Sequence, residues 1–249
     1  MTVPVPLRRL LPDQVDAVDL VDAYRYPPDS TWLRANMIAS ADGAATIDGR
    51  AGGLGNATDQ QVLGLLRALA DVVIAGAGTV TAEGYGPARA RPQYQDLRAA
   101  ASQPPAPTMV VVSQRLQLNF ESKYFADASQ RPIVVTCETA PADRVLAARK
   151  VADVVIAGES AVSPALMVEA LVARGYRRLL CEGGPTLLAA VAANGVLDEL
   201  CLTIAPMLVG GPSRRVLEGP LLDPASKIAL TQLLQDDDDL LYARYEVRR

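Results

Sequence analysis

Short apolar, β-branched runs alternate with helical stretches of about ten residues from Trp32 onward, and nothing else in the chain restricts its fold as much. The runs Trp32–Ile38, Asp71–Ala75, Thr108–Ser113, Ile133–Cys137, Val154–Ala157 and Arg178–Glu182 read as strands, several of them apolar on both faces. Strands of that kind need cover on both sides, which a mostly parallel sheet flanked by helices provides. Between them, Thr58–Ala70 is expected to be helical. Thr58 and Gln61 have capping-box spacing, and Val62, Leu65, Leu66 and Leu69 share one face. Pro141–Lys150 is a second helix, and Ser163-Pro164 opens a third that ends near Gly175. Thr186–Asn194, closed by Gly195, is a fourth. Glu199–Ala205, Ile228–Leu234 and Leu241–Val247 read as closing strands. With no helix between the last two, they are expected to form an antiparallel hairpin, with Asp236–Asp239 as its solvated turn. Residues 1–30 read as an irregular lead-in, residues 31–249 as a single domain, and Gly84–Pro107 as a long surface loop.

A chain of 249 residues, 50% of them hydrophobic, can bury a large core without disulfides. Its net charge of −4 makes no electrostatic case for nucleic acid or an anionic membrane. No apolar run approaches the ~18 residues of a membrane span, and the opening residues lack a signal-peptide pattern, so the expected location is the cytoplasm. The absence of histidine removes imidazole acid–base chemistry, Ser-His-Asp and Cys-His catalysis, and histidine-bound zinc. Cys137, Cys181 and Cys201 are widely spaced in apolar runs and read as buried reduced thiols, not as a metal site.

Glycines mark three strand ends. Asp71–Ala75 runs into Gly76-Ala77-Gly78-Thr79-Val80, Arg178–Glu182 into Gly183-Gly184-Pro185-Thr186, and Val154–Ala157 into Gly158. Glycine lets a backbone approach a ligand closely, and a helix start offers free N–H groups to phosphate. In one parallel sheet these ends open on a common rim, where nucleotides bind. Taken singly, the first junction reads equally as a tight turn. Glu182 reads either as part of that rim or as a structural acceptor for loop N–H groups. Asn36-Met37-Ile38-Ala39-Ser40-Ala41-Asp42-Gly43 sets polar side chains at another strand end, and Asp42-Gly43 also suits a plain turn.

SADG at 40–43, LLRALADVVIAGAGTV at 65–80, CEGGPTLLAAV at 181–191 and LDELCLTIAPMLVGG at 197–211 together resemble the riboflavin-biosynthesis pyrimidine reductase domain. That family has the dihydrofolate-reductase-like fold, and the resemblance runs from about residue 31 to the C-terminus. It implies an NADPH-dependent reductase that converts the phosphoribosylamino group of 5-amino-6-(5-phosphoribosylamino)uracil to the ribitylamino product. By motif, Gly76, Gly78, Thr79, Glu182, Gly183, Gly184 and Thr186 would bind the cofactor, with Gly158 lining the same cleft. Ser113 and Arg115 would meet the adenosine 2′-phosphate, although Arg115 also reads as a solvated loop arginine. Asn36 and Ser40 fall on the substrate side. Asp42 and Glu83 are the candidate catalytic acids, because without histidine a carboxylic acid or an ordered water must supply the proton. The resemblance and the apolar closing strands imply a homodimer.

The chain departs from the family pattern where the sugar phosphate is held. Ala44 stands at the usual lysine position, Glu83 replaces an aspartate, and Gly84-Tyr85-Gly86-Pro87 replaces an Asn-Pro and arginine segment, leaving Arg89 and Arg91 offset. Lysine and arginine carry much of phosphate affinity. A pterin or dihydrofolate-type ring is therefore an alternative substrate, and an NADPH-binding protein without turnover a second one. The H-x-E and P-C-x-x-C pair of a fused deaminase is absent, so deamination would fall to another protein.

Overall fold

In the computed structural model, which describes residues 7–248, ten strands form one sheet. In chain order the elements are β1 (Leu7–Leu11), α1 (Leu20–Ala23), β2 (Trp32–Ser40), α2 (Ala57–Leu69), β3 (Val72–Gly76) and α3 (Ala77–Ala82). A 3-10 turn at Pro92–Tyr94 leads into α4 (Gln95–Ala100), followed by β4 (Thr108–Val112), α5 (Lys123–Ala126), β5 (Ile133–Thr136), α6 (Ala142–Val151) and β6 (Asp153–Ile156). The chain closes with α7 (Pro164–Val172), β7 (Arg178–Cys181), α8 (Pro185–Ala193), β8 (Glu199–Ala205), β9 (Ile228–Asp236) and β10 (Leu241–Val247). The spatial order is β1-β9-β10-β8-β2-β7-β3-β4-β5-β6. Pairing is parallel from β8 through to β6 and antiparallel from β8 through β10 and β9 to β1.

The expected mostly parallel sheet with a C-terminal antiparallel hairpin is therefore the observed one. Alternate residues of the parallel strands enter two cores. Val73, Ala75, Met109, Val111 and Val134 pack with α2 and α6, while Val72, Ile74, Val110, Ile133 and Val135 pack with α7 and α8. All three cysteines are free and buried, and burial pushes the Cys181 thiol up to about 12. Among the described residues no helix is long and apolar enough to cross a membrane.

Several local expectations are corrected. The lead-in is not irregular throughout: Leu7 is fully buried, and β1 pairs with β9. Its first six residues lie outside the described ones. The α2 cap is Asn56, whose side chain accepts from the Asp59 N–H, and not Thr58. β6 is an edge strand with Asp153 and Ile156 exposed, because among the described residues no strand lies beyond it. Asp236 is buried and organises the hairpin by accepting from the Asp238 and Leu240 N–H groups. The 84–107 segment is ordered around the 3-10 turn and α4. There the buried Arg98 donates to the Ala68 and Ala70 carbonyls at the end of α2.

One ion pair joins the two halves of the sheet. Arg34 on β2 stands opposite Glu199 on β8, with Nε 2.6 Å from Oε1 and both side chains almost wholly buried. Trp32 Nε1 donates to Glu199 at 3.0 Å, Arg34 Nη1 donates to the Tyr24 carbonyl at 2.7 Å, and the guanidinium lies 4.2 Å from the centre of the Tyr26 ring. Removing the carboxylate leaves the Arg34 charge buried without its anionic partner. Glu199→Ala is expected to cost about 3–5 kcal/mol of unfolding free energy by urea denaturation. A loss below about 1 kcal/mol would show that water replaces the carboxylate.

Candidate functional site

A cavity of about 770 Å3 runs along the α2 side of the sheet. Asn36 and Met37 of β2 line it, as do Arg67 of α2, Gly78 and Thr79 of α3, the following Glu83, and Glu182 and Gly184 after β7. These groups meet because β2, β7 and β3 are neighbours and parallel, which puts their C-terminal ends on one rim. Another wall is the 84–107 segment, including Tyr85, Arg89, Arg91, Tyr94 and Arg98, and residues of the 45–55 segment and Arg214 complete the lining. This segment is thus a wall of the site, not a detached surface loop.

Glu182 ties the walls together. Its carboxylate, only 8% exposed, accepts from Arg67 Nε at 2.6 Å and Nη2 at 2.7 Å, and from the Tyr85 hydroxyl at 2.6 Å. The Arg67 guanidinium also lies 5.2 Å from the centre of the Tyr85 ring. A bidentate, charge-assisted pair of this kind is strong and directional. Burial and the adjacent Glu182 carboxylate hold the Tyr85 hydroxyl protonated. Glu182 is a structural acceptor, but for two side chains and not for loop N–H groups. Arg67 and Tyr85 escaped the sequence reading, since only packing brings α2 and the loop after α3 to the end of β7.

The glycine junctions interlock. The Gly76 N–H donates to the Gly183 carbonyl at 2.7 Å, joining the ends of β3 and β7. Gly183 has φ +80°, and a Cβ on it would lie 3.0 Å from the Met37 sulfur. A Cβ on Gly184 would strike Thr79 Oγ1. Gly76 and Gly184 are the N-caps of α3 and α8, and neither helix start has a side-chain cap. On the other wall, a Cβ on Gly64 would strike Arg91, so the missing side chain there admits the guanidinium against α2.

Asn36, Gly78, Thr79, Glu83, Arg89, Arg91, Glu182 and Gly184 thus share one cavity. Glu83 accepts from the Ala51 N–H at 2.9 Å. Gly76 and Gly183 are not among the lining residues, and Thr186 is exposed on the first turn of α8. Ser113 is buried past the end of β4, with Arg115 exposed beyond it. Gly158 follows the edge strand β6, at φ +123°, where a Cβ would strike the Ala161 carbonyl, so its own turn requires the glycine. It does not line the cavity, and neither do Ser113, Arg115 and Thr186.

Ser40 and Asp42 stand apart from this cavity. The Ser40 hydroxyl is buried, accepts from the Ala44 N–H at 2.9 Å and donates to Asp42 Oδ1. Asp42 also accepts from the Gly210 N–H at 2.7 Å and the Val209 N–H at 3.1 Å, so it pins the loop after β8. Neither residue lines the cavity. The acid–glycine grammar at 42–43 marks a turn with a distant partner, and that partner is invisible in the local sequence.

The sequence profile of the RibD C-terminal domain matches residues 31–242. The chain is 33% identical over 180 residues to the 2,5-diamino-6-ribosylamino-4(3H)-pyrimidinone 5′-phosphate reductase of Methanothermobacter thermautotrophicus, covering 72% of this chain and 76% of that protein. It is 29% identical over 181 residues to the protein of the same name from Archaeoglobus fulgidus, covering 72% and 82%. Among solved structures, a pyrimidine reductase-like protein from Corynebacterium diphtheriae superposes with TM-score 0.81 at 27% identity, covering 94% of this chain and 96% of that one. RibD from Acinetobacter baumannii superposes at TM-score 0.70 and 19% identity, covering 88% and 59%, a likeness of fold.

The bonds to Asp42 decide its charge. The Ser40 hydroxyl first, and then the Gly210 and Val209 N–H groups, hold its carboxyl down to about 2, below the ordinary 3.8. A carboxyl with a lowered folded value stabilises the fold above its unfolded value and ceases to do so as pH falls through the folded one. The Gly210 amide resonance is expected to shift with a midpoint near 2, not near 3.8. The shift should vanish in Asp42→Asn.

Proposed function

Because the chain belongs to the RibD C-terminal domain family of riboflavin-biosynthesis reductases, we propose that it uses NADPH to reduce the ribosyl group of a ribosylaminopyrimidine 5′-phosphate to an open ribityl chain. The observation that carries this reading is the single cavity lined both by the substrate-side residues Asn36, Glu83, Arg89 and Arg91 and by the cofactor-side residues Gly78, Thr79 and Gly184. The two relatives carry the 2,5-diaminopyrimidinone in their names. The uracil expected above differs from that ring only at C2, and the reaction on the sugar is the same for both.

Reduction breaks C1′–O4′, adds hydride at C1′ and leaves a hydroxyl on C4′, so the protein must see one proton reach O4′. When bound, the nicotinamide supplies the hydride. Glu83, in the cavity wall, is the group that hands over the proton, and Asp42 does not line that cavity. The Asn36 amide orients the sugar hydroxyls, and Arg89 and Arg91 hold the 5′-phosphate. The uncapped starts of α3 and α8, held side by side by the bond from Gly76 to Gly183, suit a pyrophosphate lying across them at Gly78, Thr79, Gly184 and Thr186. Ser113 and Arg115, just past the end of β4, would meet the adenosine 2′-phosphate.

One observation favours a second reading. Ala44 is a buried methyl group that offers a phosphate no cation, which suits a dihydrofolate-type ring without phosphate. NADPH oxidation at 340 nm separates the readings. Turnover of the ribosylaminopyrimidine phosphate is expected, with Glu83→Gln lowering kcat by about 10²–10⁴-fold while NADPH affinity stays within about twofold. Turnover of dihydrofolate alone would favour the second reading, and NADPH binding without oxidation of either would leave a non-catalytic binder.

Leu11 on β1 and Ile228 and Leu230 on β9 are each about 41% exposed, at the antiparallel end of the sheet, and they support a homodimer. Light scattering at micromolar concentration is expected to give twice the chain mass, and Leu230→Lys to halve it. A monomer in the wild type would overturn the dimer.

A further inference from the structure

A second cavity, of about 750 Å3, lies at the other end of the parallel strands, where β3 and β7 begin. Its wall joins the 25–30 segment after α1, Leu69 at the end of α2, the 101–104 segment after α4 and the 174–178 segment between α7 and β7. Among the described residues none lines both cavities. The second one gathers four arginines, Arg25, Arg174, Arg177 and Arg178, against two aspartates, Asp29 and Asp71, in a chain whose net charge is −4.

Asp71 is already matched. Its carboxylate accepts from the Arg177 and Arg178 N–H groups at 2.9 and 2.8 Å, from Arg178 Nε at 3.0 Å and from Gln103 Nε2 at 2.8 Å. That fills the capacity of a carboxylate, about four bonds. The carbonyls of the nearby helix ends, which would repel an anion, are occupied as well. Gln103 donates to Leu69 at 3.2 Å, and Arg174 to Ala170 at 2.8 Å.

Arg177 differs from these. Its N–H is held by Asp71 and its carbonyl accepts from the Trp32 N–H at 2.9 Å, so the backbone is fixed at both groups. Its guanidinium is exposed and, among the described residues, has no partner. Arg25 has only a surface pair with Asp22, which contributes little and exchanges readily. On the same wall the Ser30 hydroxyl oxygen is buried with no partner among the described residues. An unmade buried hydrogen bond is costly, and a ligand oxygen would complete it. Tyr26, Pro27, Leu69, Leu97 and Tyr176 supply an apolar face. The volume falls in the range of small-ligand sites, about 300–1,000 Å3.

We propose that this cavity binds a small aromatic phosphate monoester, with its phosphate on Arg177 and its ring against the apolar face. The excess of arginine over aspartate matches the charge of a phosphate monoester, about −1.5 to −2 at neutral pH. A guanidinium also meets two phosphate oxygens at once. The site stands at the opposite end of the sheet from the reductase cavity and does not depend on the reductase reading.

Amide NMR titration of the full chain with phenyl phosphate reads the two cavities separately. The Arg177, Arg178 and Gln103 resonances are expected to shift together and saturate. Arg177→Ala, at an exposed side chain whose backbone bonds persist, should weaken that binding about 10-fold, the value of one hydrogen bond to a charged group. Phenol and inorganic phosphate should each bind there about 10-fold or more weakly, because one lacks the anion and the other the buried ring. Shifts confined to Gly78 and Gly184 of the first cavity, or none at all, overturn the site. Phenol binding as tightly as phenyl phosphate, or an unchanged affinity in Arg177→Ala, overturns the phosphate assignment. Inorganic phosphate binding as tightly overturns the aromatic one.

Discussion

The cavity depends on a buried negative charge at the end of β7. Glu182 holds Arg67 from α2 and Tyr85 from the loop after α3 on a single carboxylate. Each partner belongs to a different wall, so the distance between the walls is set by hydrogen-bond lengths and not by apolar contact, which tolerates sliding. An exposed pair would contribute little, but this carboxylate is out of water, and losing either partner leaves part of its charge unmatched. The same residue precedes Gly183-Gly184, so the hub that spaces the walls also sets where the glycine junction meets Gly76.

The two halves of the sheet do different work. In the parallel half, β2, β7 and β3 end on one rim, and the short helices α3 and α8 start there without side-chain caps. The antiparallel half brings Thr203 of β8 under Asp59 and buries Asp236 beneath the hairpin. Arg34 and Glu199 fasten the seam between the halves, where β2 and β8 pair directly. A shift of one residue in that register would put the two charges on opposite faces of the sheet. The ion pair therefore specifies alignment, and with it the position of Asn36 two residues farther along β2.

The strand–helix alternation was legible because burial on both faces leaves a mark within each short segment. β3, β4, β5 and β7 are nearly continuous apolar runs, and α7 announces itself with Ser163-Pro164. Misreadings fell where the partner is remote. Asn56 outcompetes Thr58 as a cap and also reaches Asp236, 180 residues away. β1 has no distinguishing pattern of its own and becomes a strand because β9 offers it an edge. Gly84–Pro107 looks like surface, yet Tyr85 and Arg98 anchor it through bonds to β7 and the end of α2.

By itself the sequence determined the fold class, the glycine junctions at the strand ends and the absence of imidazole chemistry, since each is a property of neighbouring residues or of composition. It also brought forward Asn36, Glu83, Arg89 and Arg91, which the fold gathers in one cavity. Only the tertiary structure decided what the acids do. Asp42 pins a loop, Glu182 binds two side chains, and Asp59, on the cavity wall, accepts from Thr203. A carboxylate's role follows from how many donors reach it and how much water is excluded. Both are set by residues more than a hundred positions away along the chain, as with Ser40–Asp42 against Gly210, Arg67 against Glu182 and Asp59 against Thr203.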